Sequence, residues 1–348
     1  MRAPPTMKRS HDGRRTPRLD QRRISPLELR GAANANARNA GGSIVSASTL
    51  IAIDWGTTSA RAYRLDARGD VRDERSAALG ISQVVGGRYH EALATLLGDW
   101  RADPAPRLAC GMIGSRQGWI EAPYVACPAS LDTLVAGLAP VREATLSIVP
   151  GLITRDRSGT PDVMRGEETQ LVGAVAANEA SVLAVLPGTH SKWAHVEHGR
   201  VIDFTTYMTG ELYGVLLAHS ILGRMGTRAD ASMIGSAFTR GVERGLGTDS
   251  VTHAIFGART LVLTGALPSN DVDDWLSGVL IGDEIRAALA WSTDRGTDAS
   301  RVRIIGDDRL AARYETALAQ AGVAIERGDR HAAARGLWRI ARQAGLLH

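Results

Sequence analysis

The sequence predicts a two-lobed α/β protein. A strand–turn–strand–strand pattern starts at Leu50 and is followed by helical apolar spacing over residues 89–100. A second β-rich start lies near residue 182, where SVLAVLPG leads into the hairpin KWAHVEHGRVIDFTTYM, and helices follow again. This weak internal duplication and the length of 348 residues predict two lobes that meet near residues 160–185.

The individual elements follow from local patterns along the chain. In the first half we predict strands at LIAID, ARAYRLD, DVRDERSA, RLAC and, as a pair, LSIVPGLIT, and a helix at EETQLVGAVAAN. In the second half we predict helices at GELYGVLLAHSIL, ASMIGSAFTRGVERG and DDWLSGVLIGDEIRAALAW. The last strand, RVRIIG, precedes the helix DDRLAARYETALAQAG, and this unit is suited to cover an adenosine group, although any βα unit has this pattern.

The apolar content and the cysteine count argue against a membrane-spanning protein and against a disulfide-rich one. The apolar fraction of 44% suits a globular fold, and no apolar stretch is long enough to span a bilayer. Two cysteines, Cys110 and Cys127, form neither a disulfide framework nor a metal-ligand pattern. We therefore expect a cytoplasmic protein without membrane contact.

The basic character of the chain belongs to its first 48 residues. They hold ten Lys/Arg and three Asp/Glu, which leaves the other 300 residues at a net charge of −3. This leader is rich in Arg, Pro, Gly and Asn and lacks aromatics, so we predict a disordered extension. A polyanion-binding tail and a transit peptide are alternatives, but for the body we expect no nucleic-acid partner.

A hydroxyl-rich turn follows the first strand. Gly56 lets backbone N–H groups converge, and Thr57, Thr58 and Ser59 add hydroxyl donors. Such a concavity suits phosphate oxygens. The alternative is an ordinary polar hairpin turn, but such turns favour Asn-Gly or Asp-Gly pairs, so we predict a phosphate site.

Two charged residues flank this turn. Asp54, at the end of the strand, is suited to hold hydrated Mg²⁺, which prefers one or two carboxylates plus water and phosphate. Arg61 lies two residues past Ser59 on the same face of the next strand, within reach of the same phosphates.

The stretch LPGTHSKW, residues 186–193, indicates a second phosphate turn. A buried strand again ends at a glycine, here Gly188, followed by Thr189 and Lys192. It lacks the spacing of a Walker A loop, and a Gly-Thr turn by itself is common. The prediction of a second phosphate site therefore depends on the pairing of this turn with the first one.

Two acids, Glu167 and Glu168, open a predicted helix after Gly166. Acids at a helix N-terminus complement the helix dipole, which is the structural explanation. The functional interpretation is a carboxylate that accepts the proton of a sugar hydroxyl as it attacks a phosphoryl group. We favour Glu167 as this base and keep Glu168 in reserve.

A glycine-rich loop over residues 111–128 is a candidate substrate site because loops at strand ends host sites. Ser115, Arg116 and Gln117 are its binding candidates, with the Arg116 guanidinium suited to a carboxylate. The alternative is a structural loop with a surface arginine.

These motifs in this order resemble the actin/hexokinase/Hsp70 ATPase superfamily and, more closely, the 2-dehydro-3-deoxygalactonokinase family. The closer resemblance rests on GMIGSRQGWIEAPYVACPA, MRGEETQLVG, LPGTHSKW and TTYMTGELYGVL, and it covers about residues 49–345. It implies two ribonuclease-H-like lobes of an actin-like ATPase fold around a nucleotide cleft, with boundaries at 49–165 and 166–348.

The resemblance also implies an activity: ATP would phosphorylate the 6-hydroxyl of 2-dehydro-3-deoxy-D-galactonate in galactonate catabolism. By the superfamily pattern Asp54 takes the magnesium position, the residues after Gly56 and Gly188 take the two phosphate turns, and Glu167 stands where related sugar kinases have an aspartate base. ATP, Mg²⁺ and a sugar acid are the expected ligands. The alternatives are another acceptor, such as 2-dehydro-3-deoxygluconate, or a nucleotide-gated regulator of the same fold.

Overall fold

The computed structural model describes residues 49–224 and 234–347. The strands in these ranges are β1 (Leu50–Trp55), β2 (Ala60–Leu65), β3 (Val71–Ala77), β4 (Arg107–Cys110), β5 (Tyr124–Ala126), β6 (Ala139–Val141), β7 (Leu146–Ile148), β8 (Gly151–Arg155), β9 (Pro161–Met164), β10 (Val182–Leu186), β11 (Ser191–Glu197), β12 (Arg200–Tyr207), β13 (Arg301–Ile304) and β14 (Ala324–Arg327). The helices are α1 (Tyr89–Leu97), α2 (Leu131–Ala136), α3 (Glu167–Ala174), α4 (Thr209–His219), α5 (Ser236–Leu246), α6 (Val251–Leu263), α7 (Val272–Asp294), α8 (Asp308–Gln320) and α9 (Ala332–Gln343).

Two sheets repeat one topology. The first has the order β3-β2-β1-β4-β7-β6 and the second has the order β12-β11-β10-β13-β14. In each, three antiparallel strands come first, and two further strands then add parallel to the first strand of the set. The duplication predicted from the sequence is therefore confirmed, and the fold is the two-lobed α/β architecture of actin-like ATPases.

The strands at the centre of both sheets are apolar on both faces. Leu50, Ile51, Ala52 and Ile53 of β1 are all fully buried, as expected for a strand that is covered by helices on either side. The predicted hairpin between β11 and β12 turns at His198 and Gly199, which both have positive φ, as is typical of two-residue hairpin turns.

A small third sheet has the order β5-β8-β9. The segment LSIVPGLIT does form two strands, but β7 joins the first sheet and β8 joins the third. The prediction of a pair was thus right about the strands and wrong about their partnership, because the chain changes sheet at Pro150.

Helix α9 connects the two halves of the chain. Its residues Leu337 and Ile340 pack with Leu50 and Leu108 of the first sheet. It also crosses α3 closely, since a Cβ on Gly173 would lie 1.9 Å from Ala332 O. The predicted boundary between the two lobes, at residues 165 and 166, remains a prediction. Helix α9 belongs to the second predicted lobe but packs against the sheet of the first.

Two further predictions concern residues that lie wholly or partly outside the described ranges. The predicted leader, residues 1–48, lies outside them, as does the start of the helix predicted at ASMIGSAFTRGVERG. None of the helices within the described ranges is both long and apolar enough to cross a membrane.

Candidate functional site

The segment that follows β3 packs on the turn between β1 and β2 and donates a hydrogen bond to it. The N–H of Gly56 donates to Ser59 O at 2.9 Å, and the N–H of Ser82 donates to Thr57 O at 3.0 Å. Gly80 packs directly against the turn, because a Cβ there would lie 2.3 Å from Thr57 C. Thr57 and Thr58 are exposed, so the hydroxyl-rich side of the turn faces outward.

Asp54 and Arg61 are direct cross-strand partners close to the turn of the β1–β2 hairpin. Burial raises the pKa of the Asp54 carboxyl, and the Arg61 guanidinium opposes that rise. Both side chains line a cavity of about 390 Å³. The register thus places the two residues side by side, and their roles toward phosphate and Mg²⁺ remain predictions.

The same cavity is lined from the second sheet. Pro187, Gly306 and Asp307 line it together with Asp54 and Arg61. Pro187 ends the strand β10 and begins the turn with Gly188 and Thr189, so the ends of the first strands of both sheets meet at one crevice.

The second turn is supported by α4. The N–H of Glu211 donates to Thr189 O at 3.0 Å, and a Cβ on Gly210 would lie 2.4 Å from Gly188 O. His190 Nε2 and Glu211 Oε2 also form a hydrogen bond. A Cβ on Gly188 itself would meet nothing within 4 Å, so the turn presents open backbone on its outer side.

On the far side of this turn lies a smaller pocket of about 160 Å³. Its walls come from the turn and from three helices, and they are mainly apolar, with the exposed Arg309 and the buried Arg313 among them: Gly188, Thr209, Gly210, Tyr213, Ser277, Leu280, Ile281, Arg309, Leu310, Arg313 and Tyr314. The sequence indicated the strand–turn–helix at residues 301–314 as a possible cover for adenosine. It did not indicate the partners on α4 and α7, because these helices come close to residues 301–314 only in the folded chain.

The two acids at the start of α3 have different environments. Glu168 is fully buried, with Oε2 accepting from Gly166 N at 2.6 Å and Oε1 accepting from Thr169 Oγ1 at 2.8 Å. Burial and the neighbouring Glu167 raise its pKa to about 8. Glu168 is therefore held as a buried acceptor for its own helix start.

Glu167 is partly exposed and accepts a hydrogen bond from Arg165 N at 3.0 Å. Burial raises its pKa, Lys192 lowers it and Asp54 raises it. Glu167 thus lies near enough to Asp54 and Lys192 for their charges to act on it, whereas Glu168 is engaged at its own helix start. The choice of Glu167 as the proton acceptor remains a prediction.

Lys192 lies beside Glu167 instead of along the second turn. Its side chain is 6% exposed, and Nζ donates to Val163 O at 2.8 Å and to Thr206 Oγ1 at 2.7 Å. Thr206 Oγ1 in turn donates to Asp162 Oδ1 at 2.6 Å. A nucleotide-binding role for Lys192 remains a prediction; the contacts point to an effect on Glu167.

The loop after β4 packs against the segment that carries Glu167. Ser115 is 9% exposed and its Oγ has no hydrogen-bond partner within the described residues, whereas Arg116 and Gln117 are exposed. Tyr89 Oη donates to Gln117 O at 2.8 Å and fixes the backbone of the loop. Substrate roles for these three residues remain predictions.

Sequence reasoning overlooked Arg165, the residue before Gly166. Its guanidinium is buried, donates to Ala122 O at 2.8 Å and lies 4.3 Å from the centre of the Tyr124 ring. The only available signal was its place in MRGEE, next to the candidate base.

Comparisons with known proteins show the family of the chain. The family model for 2-keto-3-deoxy-galactonokinase matches residues 54–340. The 2-dehydro-3-deoxygalactonokinase of Escherichia coli (strain K12) is 37% identical over 273 residues, which are 78% of this chain and 90% of that protein. The probable 2-dehydro-3-deoxygalactonokinase DgoK1 of Rhizobium meliloti (strain 1021) is 39% identical over 311 residues, 85% of this chain and 99% of that protein.

A solved structure is similar over nearly the same span. A crystal structure of a Sinorhizobium meliloti protein described as a 2-dehydro-3-deoxygalactonokinase aligns with a TM-score of 0.76 and 36% identity, covering 84% of this chain and 98% of that one. Family match, relatives and fold thus accompany a cavity that Asp54 and Arg61 of the first sheet line together with Pro187, the residue after β10. The chain belongs to the 2-keto-3-deoxy-galactonokinase family.

Proposed function

We propose that this protein transfers the γ-phosphate of ATP to the 6-hydroxyl of 2-dehydro-3-deoxy-D-galactonate. The observation that carries the proposal is the cavity of about 390 Å³ that is lined by Asp54 and Arg61 of the first sheet and by Pro187 and Gly306, which follow strands of the second sheet. Membership of a family of sugar-acid kinases supports the reaction class and the use of ATP. In this proposal the reaction takes place in the cytoplasm, and the partners are ATP and the sugar acid.

ATP would lie across the second turn. Pro187 borders the larger, polar cavity and Gly188 borders the smaller, apolar pocket. The triphosphate fits between the two turns, where backbone N–H groups and the hydroxyls of Thr57 and Thr189 are suited to phosphate oxygens. Adenine fits the smaller pocket, where Leu280 and Ile281 offer apolar contact and Arg309 lies at the rim.

Mg²⁺ fits the donor set around Asp54. The carboxylate is partly buried, and the guanidinium of Arg61, on the adjacent strand, opposes the rise in its pKa that burial causes. The described residues contain no cluster of three or more metal-ligating side chains. A single carboxylate with waters and phosphate oxygens is the usual protein site for Mg²⁺, and the ion would neutralise charge on the phosphates.

Glu167 would serve as the base. Its carboxylate accepts the proton of the 6-hydroxyl while the substrate oxygen bonds to the γ-phosphorus and the bond from that phosphorus to the bridging oxygen of ADP breaks. The adjacent Lys192 favours the ionised form of Glu167, as a base requires. Arg61 adds positive charge near the phosphates, so the chain supplies mostly positioning and charge stabilisation.

A coupled ADP-release assay across a panel of aldonic and 2-keto-3-deoxy acids tests the proposal. We expect ADP release that depends on the acid and is greatest with 2-dehydro-3-deoxy-D-galactonate. A preference for 2-dehydro-3-deoxygluconate would reassign the acceptor. ATP turnover that is indifferent to every acid would contradict the kinase and support a nucleotide-gated regulator.

A further inference from the structure

Arg165 is a buried cation with an incomplete set of partners. Its side chain is 8% exposed, and one of its three guanidinium nitrogens, Nη2, donates to Ala122 O at 2.8 Å. Nε and Nη1 are buried and have no hydrogen-bond partner within the described residues. No carboxylate in the described part of the chain forms an ion pair with it.

This arrangement is unfavourable unless an anion completes it. Buried charges in proteins are normally paired and hydrogen-bonded, because removal from water is costly for an ion without a partner. Other buried arginines of this chain follow that rule, since Arg303 pairs with Glu179 and Glu326, and Arg313 pairs with Asp274. Arg165 is thus the exception among them.

The surroundings of Arg165 belong to the candidate substrate loop. A Cβ on Gly114 would lie 3.1 Å from Arg165 Nη1, so the loop backbone packs directly on the guanidinium. The next residue, Ser115, carries a second buried polar atom without a partner, its Oγ. The other face of the guanidinium is covered by the Tyr124 ring, which is 42% exposed and lies 4.3 Å away.

Arg165 is also joined to the candidate base. Its backbone N–H donates to Glu167 Oε2, while its side chain extends away from Glu167 toward Ala122. A sugar acid of six carbons has its carboxylate and its 6-hydroxyl at opposite ends. An anchor displaced from the base, on the same rigid segment, suits such a substrate. Arg116, by contrast, is exposed on the loop surface.

We propose that Arg165 is the anchor for the carboxylate of the sugar acid, with Nε and Nη1 as a fork and Ser115 Oγ as an additional donor. This inference rests on the proposed function for the identity of the acid. The guanidinium fork matches a carboxylate in geometry and charge. Because the fork is covered in this structure, the acid reaches it only when Tyr124 and the loop shift, so binding is coupled to loop movement.

Calorimetric titration of the protein with 2-dehydro-3-deoxy-D-galactonate, and separately with its neutral amide, tests the anchor without requiring turnover. We expect Arg165→Met to weaken binding of the acid about 100-fold, as for the loss of one partner of a buried charge pair, and to leave amide binding within about threefold. Arg165→Lys should retain part of the preference for the acid. Arg142→Met, an exposed arginine elsewhere in the same half of the chain, is the matched control and should bind both ligands as the unchanged protein does.

Three results would overturn the inference: equal losses for acid and amide in Arg165→Met, a selective loss in Arg116→Met instead, or no binding of the acid by the unchanged protein. If Arg165→Met does not fold, the ratio of acid to amide affinity in Arg165→Lys and Ser115→Ala decides, since an unchanged ratio in both contradicts the anchor. Selective binding of the acid without phosphorylation would refute the proposed kinase activity and leave the anchor standing.

Discussion

Gly166 and Gly111 approach each other so closely that a Cβ on Gly166 would lie 3.1 Å from Gly111 Cα. Both have positive φ, at 110° and 94°, and Gly111 would in turn bring a Cβ to 3.5 Å from Asp54 Oδ1. This glycine contact sets the separation between the segment that carries Glu167 and the strand that carries Asp54.

Gly166→Ala should therefore lower both stability and turnover. Its backbone conformation is strained for any residue with a side chain, at a cost of about 1–3 kcal/mol, and the added methyl pushes Glu167 away from Asp54. The control is Gly159→Ala, which has φ of 87° and nothing within 4 Å of the added Cβ. Chemical denaturation should show a lower free energy of unfolding in both variants, and kinetics should show a loss of kcat in Gly166→Ala alone. Equal kcat values in the two variants would contradict the idea that Gly166 sets the spacing between Glu167 and Asp54.

Glu167→Gln should reduce kcat by roughly 10²–10⁴-fold, the usual contribution of a general base, while ATP affinity stays the same. Glu168→Gln keeps a buried acceptor and should retain far more activity. Steady-state kinetics with a separate nucleotide-binding titration measure both effects. Near-normal turnover in Glu167→Gln would exclude it as the base, and a larger loss in Glu168→Gln would transfer the role.

The protonation of Glu168 should make stability depend on pH. Its pKa rises from 4.5 to about 8 on folding, so between these values the folded state binds more protons than the unfolded state. Stability from this group is therefore present below about pH 4.5 and is lost as the pH rises toward 8. Denaturation at several pH values should show that the free energy of unfolding falls less over this window in Glu168→Gln than in the unchanged protein. An equal dependence of the free energy of unfolding on pH would mean that Glu168 is ionised in the folded state.

Lys192→Met should shift the acid limb of the pH–rate profile to higher pH. The ammonium lowers the pKa of Glu167, and a base must be deprotonated to act, so its removal leaves more Glu167 protonated at low pH. Lys192→Arg keeps the charge and should shift the limb less. A profile that merely scales down in Lys192→Met, with no displacement, would show that the lysine acts otherwise.

Arg309→Ala should raise the KM for ATP about two- to fivefold, the size expected for loss of a cation stacked at an exposed aromatic ring, with the KM for the acid unchanged. Arg309 lies at the rim of the apolar pocket. Arg301→Ala, exposed at the start of β13, is a suitable control. A change in the KM for the acid alone would place the nucleotide elsewhere.

The duplicated sheets and the two turns were predictable because their signals are local. Continuous apolar runs, followed by Gly56 or Gly188 and hydroxyl residues, indicate the strands and turns without knowledge of distant contacts. The topology then brings the ends of β1 and β10 to one crevice, since equivalent strands of the two sheets occupy equivalent places.

The third sheet and Arg165 were not predictable in this way. Strands β5 and β8 are three and five residues long and pair in parallel across a long intervening segment, so neither carries a periodic signal. Arg165 matters through Ala122 and Tyr124, which lie about 40 residues earlier in the sequence, and only the folded chain shows that its guanidinium lacks an anion.

A crystal structure with a non-hydrolysable ATP analogue, Mg²⁺ and the sugar acid tests the central claim most directly. We expect the β- and γ-phosphates between the turns at Gly56–Ser59 and Pro187–Thr189, adenine against Leu280, and the 6-hydroxyl within hydrogen-bond distance of Glu167. A nucleotide whose phosphates contact only one of the two turns, or neither, would contradict the shared crevice on which the proposed reaction depends.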